Sequence, residues 1–287
     1  MRMVSLCMMG LLMMGSARAE ELNPKWLGLP FEAPIDLSFS TEIGFVGVLS
    51  HVIQFGRSGT EVDYLNDGAQ NTLFPWTRFS ADVTIAKRHT LVALYQPLDL
   101  ETKQLLRRDI VVDDQLFPAG TPTNFGYSFP FWRLSYMYDF RPEPDQEIGI
   151  GVSLQIRNST ITFASADGTL LRSNENIGPV PVVKFRARHT FANRMFIGTE
   201  IDGFYASGRI ITGSGNDFIG SLLDASLRAG MALGPAADVF LNVRFLGGGA
   251  RGLEENTLGP GDGFARNWLY TFTVSLGFQL KATQARR

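Results

Sequence analysis

The segment 267–280 (NWLYTFTVSLGFQL) constrains the fold of this chain more than any other. Large apolar and aromatic side chains occupy every second position from Trp268 to Leu280, and the positions between them are mostly small or polar. Because successive side chains of a β-strand point to opposite faces, one face of this strand needs an apolar environment and the other a crowded, partly polar one. A strand in the wall of a membrane barrel meets both needs.

This segment also lies almost at the end of the chain. It resembles the last strand of Gram-negative outer-membrane β-barrel proteins, which ends in such an aromatic, alternating stretch. Members of that group commonly stop at a terminal aromatic residue, whereas this chain continues from Lys281 to Arg287. The resemblance implies an all-β fold, a transmembrane antiparallel up-and-down β-barrel, located in the cell outer membrane with outer-membrane lipid as its surroundings.

The first 19 residues have the pattern of a secretory signal peptide. Arg2 gives a basic start, residues 4–14 are apolar, and the small residues before and at Ala19 fit a cleavage site. The apolar run is too short to span a membrane as a helix. We predict a signal peptide at 1–19, a periplasmic N-terminal lead-in at 20–34, the barrel at 35–280 and a periplasmic C-terminal tail at 281–287.

The composition argues against several kinds of partner. The chain has 26 Lys and Arg residues against 28 Asp and Glu residues, which gives a net charge of −2 and no basic surface for a nucleic acid. Cys7 is the only cysteine, and it lies in the predicted signal peptide. The mature chain therefore has neither disulfides nor thiolate metal sites, and we expect no cofactor. The oligomeric state stays open.

The same alternation recurs along the chain and predicts about ten strands, with eight or twelve as alternatives. The connections between these strands are alternately short and long. Outer-membrane barrels have short periplasmic turns and longer extracellular loops, so this pattern places both chain ends in the periplasm. The predicted strands cover residues 35–50, 76–87, 89–100, 129–140, 147–157, 180–190, 195–206, 221–233, 238–247 and 267–280.

Three local features add detail to this scheme. Pro97 predicts a bulge in the strand 89–100 or a point where that strand leaves the membrane. Asp167-Gly168, between short alternating runs in the long loop 158–179, predicts a type I′ hairpin tip above the membrane. Aromatic side chains at headgroup level are expected on the outer rim at Trp76, Trp132, Tyr205 and Trp268.

Charged residues fix which face of each strand points inward, because a Lys or Arg facing lipid at mid-depth costs about 2 to 4 kcal/mol. Lys184, Arg186 and Arg188 share the inward face of one predicted strand, and we expect them to meet Glu200 or Asp202 on the next. The candidate site is a polar network across the lumen, formed by Glu42, Arg78, Asp82, Arg133, Lys184, Arg186, Arg188, Glu200, Asp202, Asp224, Arg228 and Arg244.

Two functions remain open for this network. It fills the lumen with ion pairs, since buried charges need partners, or it lines a conduit for an anionic or polar solute. In either case we expect a non-enzymatic barrel, either a membrane scaffold with exposed loops or a narrow passage for small solutes.

An enzyme at the rim is the alternative. Omptin proteases are also ten-stranded barrels with Asp and His residues at that position, but their catalytic motifs do not align with this chain. Ser50-His51 is similar to the His/Ser pairs of outer-membrane lipid A deacylases. Adjacent strand residues point to opposite faces, so this pair could act together only if a bulge intervenes. The alternative function is therefore a rim-located outer-membrane hydrolase, an omptin-like protease or a lipid A deacylase.

Overall fold

The computed structural model describes residues 35–143, 145–207, 218–253 and 261–283. The predicted signal peptide and lead-in, and the last residues of the predicted tail, lie outside these ranges. Within them, no helix is long and apolar enough to cross a membrane. The strands are β1 (Ile35–Phe55), β2 (Val62–Asp63), β3 (Leu73–Ile85), β4 (His89–Gln96), β5 (Asp99–Leu105), β6 (Ile110–Val112), β7 (Gln115–Phe117), β8 (Pro122–Ser128), β9 (Phe131–Asp139), β10 (Gln146–Ser165), β11 (Leu171–Thr190), β12 (Met195–Ser207), β13 (Ile219–Ala232), β14 (Ala237–Leu253) and β15 (Phe264–Thr283).

Ten of these strands form a closed antiparallel barrel. The strand order is β1-β3-β4-β9-β10-β11-β12-β13-β14-β15, and β15 pairs back onto β1 along almost its whole length. Closure gives every barrel strand a neighbour on both sides over most of the barrel wall, as a strand surrounded by lipid requires. The predicted fold class and strand number are confirmed.

The outer surface of the barrel carries an apolar band. Ile43, Leu134, Val152 and Leu241 are each more than 60% exposed, although a water-soluble protein would bury most such residues. Their sequence neighbours Glu42 and Arg133 are buried in the lumen. Lipid on the outside and polar groups on the inside account for this arrangement.

Two strand ends differ from the prediction. β15 extends to Thr283, so the first residues of the predicted tail belong to the barrel wall. The predicted long loop 158–179 is instead the continuation of β10 and β11 into one extended hairpin. Its tip is not a type I′ turn, because only Gly168 among the tip residues has a positive φ, of 74°.

Pro97 marks the point where the chain leaves the barrel wall. β4 ends at Gln96, and after the proline β5 pairs with β8 instead of a barrel strand. β8 in turn pairs with the outer part of β10. The segment between β4 and β9 therefore forms a small sheet at the outer end of the barrel.

An apolar core closes the outer mouth, whereas the inward-facing charges in the sequence predict a polar lumen. Loop residues such as Leu100 and Phe125 pack against barrel residues such as Val46 and Leu246, and all are buried. Trp76 belongs to this core at 3% exposure, whereas Trp132 and Tyr205 face outward as predicted and are each 60% exposed. Trp76 shares its strand face with Arg78, so the register that keeps Arg78 out of lipid also places Trp76 inside.

Candidate functional site

The middle of the lumen is filled by buried charged side chains, which we call the ion-pair belt. All of its members are less than one tenth exposed. The apolar core of the outer mouth lies on one side of the belt, and a polar space at the periplasmic end lies on the other. The belt consists of Glu42, Arg78, Arg133, Lys184, Asp202, Asp224 and Arg244.

Asp224 on β13 is the centre of the belt. Its carboxylate lies 3.2 Å from Nη1 of Arg78 and 3.0 Å from Nη1 of Arg133, and it also accepts a hydrogen bond from Arg244. Three guanidinium groups on three strands thus converge on one buried carboxylate. Hydrogen bonds to ionised groups are the strongest in proteins, so this cluster holds the walls of the lumen together.

Asp202 and Glu42 supply two further negative charges. Asp202 lies 2.8 Å from Arg133 and 3.1 Å from Lys184. Glu42 accepts hydrogen bonds from Asn242 at 2.7 Å and from Ser275 at 2.9 Å. Each buried charge of the belt therefore has at least one partner of opposite sign or a hydrogen-bond donor, as burial requires.

A second group of ion pairs lies toward the periplasm. Arg186 contacts Asp82 at 2.7 Å and Glu147 at 2.5 Å. Arg188 and Lys281 share Asp238, at 2.8 and 2.5 Å. A polar space of about 620 Å³ opens beside these side chains and reaches the periplasmic turns.

All the predicted network residues take part in ion pairs, but not always with the expected partner. Lys184 meets both Glu200 and Asp202. Arg186 and Arg188 do not, because they reach other strands, and Glu200 pairs with Arg228 at 2.8 Å instead. Glu147, Asp238 and Lys281 were not among the predicted network residues. Strand alternation already places Glu147 and Asp238 on the inward face of their predicted strands, and an extension by one residue does the same for Lys281.

A cavity of about 360 Å³ lies in the outer half of the barrel, between the belt and the outer-mouth core. Most of its lining is apolar. Gln155, which accepts hydrogen bonds from Arg133 at 3.0 and 2.6 Å, forms part of both the cavity wall and the support of the belt. The apolar lining includes Phe55, Phe129, Ile161, Val180, Phe204 and Leu222.

Among the described residues, Arg157 is the one charged side chain in the lining of this cavity. Its Nη2 donates to Oδ1 of Asn176 at 2.7 Å. Across the described ranges, no carboxylate lies within ion-pair distance of Arg157. The described part of the cavity thus combines an apolar body with a single positive charge.

His51 lies inside the barrel because of a bulge. The pairing of β1 with β15 shifts between Val48 and Ser50, so Leu49 is an extra residue. One extra residue reverses the faces of every residue that follows it, and His51 is fully buried as a result. Ser50 still points away from it.

The side chains in direct contact with His51 are aromatic or uncharged. Its Nδ1 lies 2.7 Å from Oε1 of Gln70. The rings of Tyr64 and Tyr127 lie 4.5 and 4.6 Å from the imidazole. An enzyme at the rim would need an acidic partner for His51, and the loops on that side carry Asp63, Asp67, Asp113, Asp114 and Asp217. The first four make no hydrogen bond to this ring, and Asp217 lies outside the described ranges. His51 therefore helps to hold the loop between β1 and β3 in place.

The described ranges contain no group of three or more His, Cys, Asp or Glu side chains placed to hold a metal ion. His89 and His189 lie at the periplasmic ends of β4 and β11, and His89 contacts the hydroxyl of Tyr136 at 2.8 Å.

The closed ring of paired strands with an apolar outer band decides the class of this protein. The chain has the fold of an outer-membrane β-barrel protein. No family model matches it. No curated protein matches it either.

Several solved structures are similar to the chain. The outer membrane protease OmpT from Escherichia coli has a TM-score of 0.45 at 10% identity, over 86% of this chain and 97% of that one. Ail, the attachment invasion locus protein of Yersinia pestis, has a TM-score of 0.35 at 6% identity, over 86% and 99%. The toluene transporter TodX of Pseudomonas putida has a TM-score of 0.33 at 8% identity, over 90% and 92%.

Proposed function

We propose that this is a non-enzymatic protein of the outer membrane whose outer cavity binds a small, largely apolar solute. The observation that carries the proposal is the position of the 360 Å³ cavity, which lies inside the barrel and adjoins the ion-pair belt through Gln155. Concave, mostly apolar sites with a few placed polar groups are the usual form of a small-molecule site.

The belt argues against an open aqueous conduit. An ion that crossed the middle of the lumen would have to separate charges such as Arg133 and Asp224, which are fully buried and 3.0 Å apart. Breaking one partner away from a buried ion pair is costly because the other charge is left without compensation. The ion-pair belt therefore closes the lumen below the cavity.

Arg157 sets the charge preference of the solute. It has a neutral hydrogen-bond partner, Asn176, and lies in the cavity wall. An anionic solute would supply a charge partner that the described protein does not, whereas a cationic solute would be repelled. We therefore expect the cavity to accept neutral or anionic solutes with an apolar body.

Binding of a fluorescent naphthyl probe to the full chain in lipid nanodiscs tests this proposal. Neutral phenylnaphthylamine should bind saturably, with one probe per barrel after subtraction of empty nanodiscs. The Val180→Trp variant fills the cavity and should lose this binding. Ile177→Trp is the matched control, because Ile177 lies on the same strand but on the outer face, and it should bind as the wild type does.

Two results would overturn the proposal. One is the absence of saturable binding to the wild type. The other is unchanged binding to Val180→Trp, which would place the probe elsewhere on the protein.

A further inference from the structure

The barrel wall is interrupted between β11 and β12 in its outer half. The two strands pair from Thr190↔Phe196 as far as Val183↔Gly203, and no further pair follows among the described residues. Both strands nevertheless continue. β11 stays paired with β10 as far as Leu171, and β12 stays paired with β13 as far as Ser207.

Two prolines explain why the pairing stops there. In an antiparallel strand, alternate residues direct their backbone N–H groups to opposite neighbours. Phe191 donates to Met195 beside β12 at 2.7 Å, whereas Thr190 donates to Asp145 beside β10 at 2.7 Å. Odd-numbered residues of β11 therefore point their N–H groups at β12.

Pro179 and Pro181 both occupy odd-numbered positions of β11. Proline has no backbone N–H, so the side of β11 that faces β12 lacks two successive donors. The side that faces β10 loses none, which agrees with the unbroken pairing there. The two prolines, separated by one residue, therefore explain from the sequence why the pairing of β11 with β12 stops.

The outer cavity lies directly behind this interruption. Val180 on β11 and Phe204 on β12 line the cavity from its two sides. On the outer surface around the same place, Ile177, Val183 and Tyr205 are 67%, 62% and 60% exposed. Ile156 pairs with both Trp132 and Pro179, so the interruption begins at the level of the outer aromatic residues. It therefore connects the apolar cavity with the outer interface of the membrane.

A second interruption of the wall is closed by the chain itself. β3 pairs with β4 only as far as Phe79↔Tyr95, because β4 leaves the wall at Pro97. The loop before β3 covers this place: Gln70 donates to the carbonyl of Leu100 at 3.5 Å, and Thr102 donates to the carbonyl of Gly68 at 2.5 Å. Among the described residues, no segment is hydrogen-bonded across the first interruption in this way.

We propose that solute passes sideways between the cavity and the lipid phase through the gap between β11 and β12. This inference rests on the proposed function, since it concerns the route to the same cavity. An apolar solute dissolved in the bilayer would reach the site without crossing the belt or the outer-mouth core. The absence of donors at Pro179 and Pro181 keeps this route from being sealed by a β-ladder.

The test restores the two donors with the double variant Pro179→Val/Pro181→Val. The register that ends at Val183↔Gly203 would then continue and place residue 181 opposite Tyr205. Hydrogen exchange should show protected amides at positions 179 and 181. The rate at which phenylnaphthylamine dissolved in the bilayer exchanges with the cavity, followed by energy transfer from tryptophan, should fall several-fold, with equilibrium affinity unchanged.

Pro75→Val is the matched control, since Pro75 is an exposed proline of the barrel wall away from the gap. It should leave the exchange rate as in the wild type. Protected amides with an unchanged exchange rate would overturn the lateral route and leave the cavity proposal standing. Unprotected amides would show that the prolines do not cause the gap, which also contradicts the inference. If the wild type showed no saturable binding of the probe, that result would instead contradict the proposed function.

Discussion

The guanidinium group of Arg133 on β9 lies 3.0 Å from the carboxylate of Asp224 on β13. These strands are not neighbours in the barrel, so the contact crosses the lumen. Both side chains are fully buried. A charge pair in this position ties opposite walls together and closes the middle of the barrel at the same time.

Replacing Asp224 by Asn should destabilise the barrel strongly. Arg78, Arg133 and Arg244 would lose their shared negative charge. Removal of one partner from a buried ion pair typically costs about 3 to 5 kcal/mol. Urea unfolding followed by heat-modifiable gel migration measures this loss. Asp114→Asn, which removes an exposed carboxylate, is the control, and equal stabilities of the two variants would contradict the central role of Asp224.

Conductance should depend on which arginine is removed. The wild type should show little ion conductance in planar bilayers, because the belt fills the lumen. Arg133→Ala should raise conductance, since it opens space within the belt. Arg186→Ala should raise it much less, because Arg186 lies on the periplasmic side and contacts Asp82 and Glu147 rather than the belt. A large wild-type conductance, or an equal effect of the two variants, would disprove this placement of the constriction.

Arg157 should set the charge selectivity of the cavity. The Arg157→Gln variant keeps a donor for Asn176 but loses the charge. It should bind anionic anilinonaphthalene sulfonate several-fold more weakly and neutral phenylnaphthylamine almost as well as the wild type. Arg251→Gln removes the same charge from an exposed position that does not line the cavity, and it should change neither affinity. Parallel losses for both probes would show that Arg157 acts through shape alone.

The outer loops should loosen only in strong acid. The side chain of Asp114 beside β7 lies 2.8 Å from Arg172 on the β10–β11 hairpin, and this hydrogen bond lowers the pKa of Asp114 below its ordinary value. A group whose pKa is lowered on folding stabilises the folded contact above its unfolded pKa and loses that effect as the pH falls through the folded pKa. The contact should therefore persist at neutral pH and weaken below about pH 3.9.

Hydrogen exchange of residues 110–117 as a function of pH, corrected for intrinsic rates, measures this loosening. Asp114→Asn should lack the acid-induced step, because it has no proton to gain. An identical step in the variant would assign the pH dependence to other carboxylates.

Much of the barrel follows from single residues and their neighbours in sequence. Charged side chains such as Arg133 and Arg244 cannot face lipid, so each of them fixes the register of its whole strand. Proline has no backbone N–H. For this local reason the chain leaves the barrel wall at Pro97, and the side of β11 that faces β12 lacks donors at Pro179 and Pro181. Fold class and strand number were therefore predictable.

The tertiary structure alone decided which side chains meet. Arg186 lies opposite Glu200 in the strand register but forms its ion pairs with Asp82 and Glu147, because a long side chain in a closed barrel reaches past its neighbouring strand. The bulge at Leu49 turned His51 inward, and the folding of β5–β8 over the outer mouth created an apolar core and left the cavity beside it. These features depend on how the walls and loops approach each other in space. Alternation along one strand fixes only the face of each residue, not its partner across the lumen.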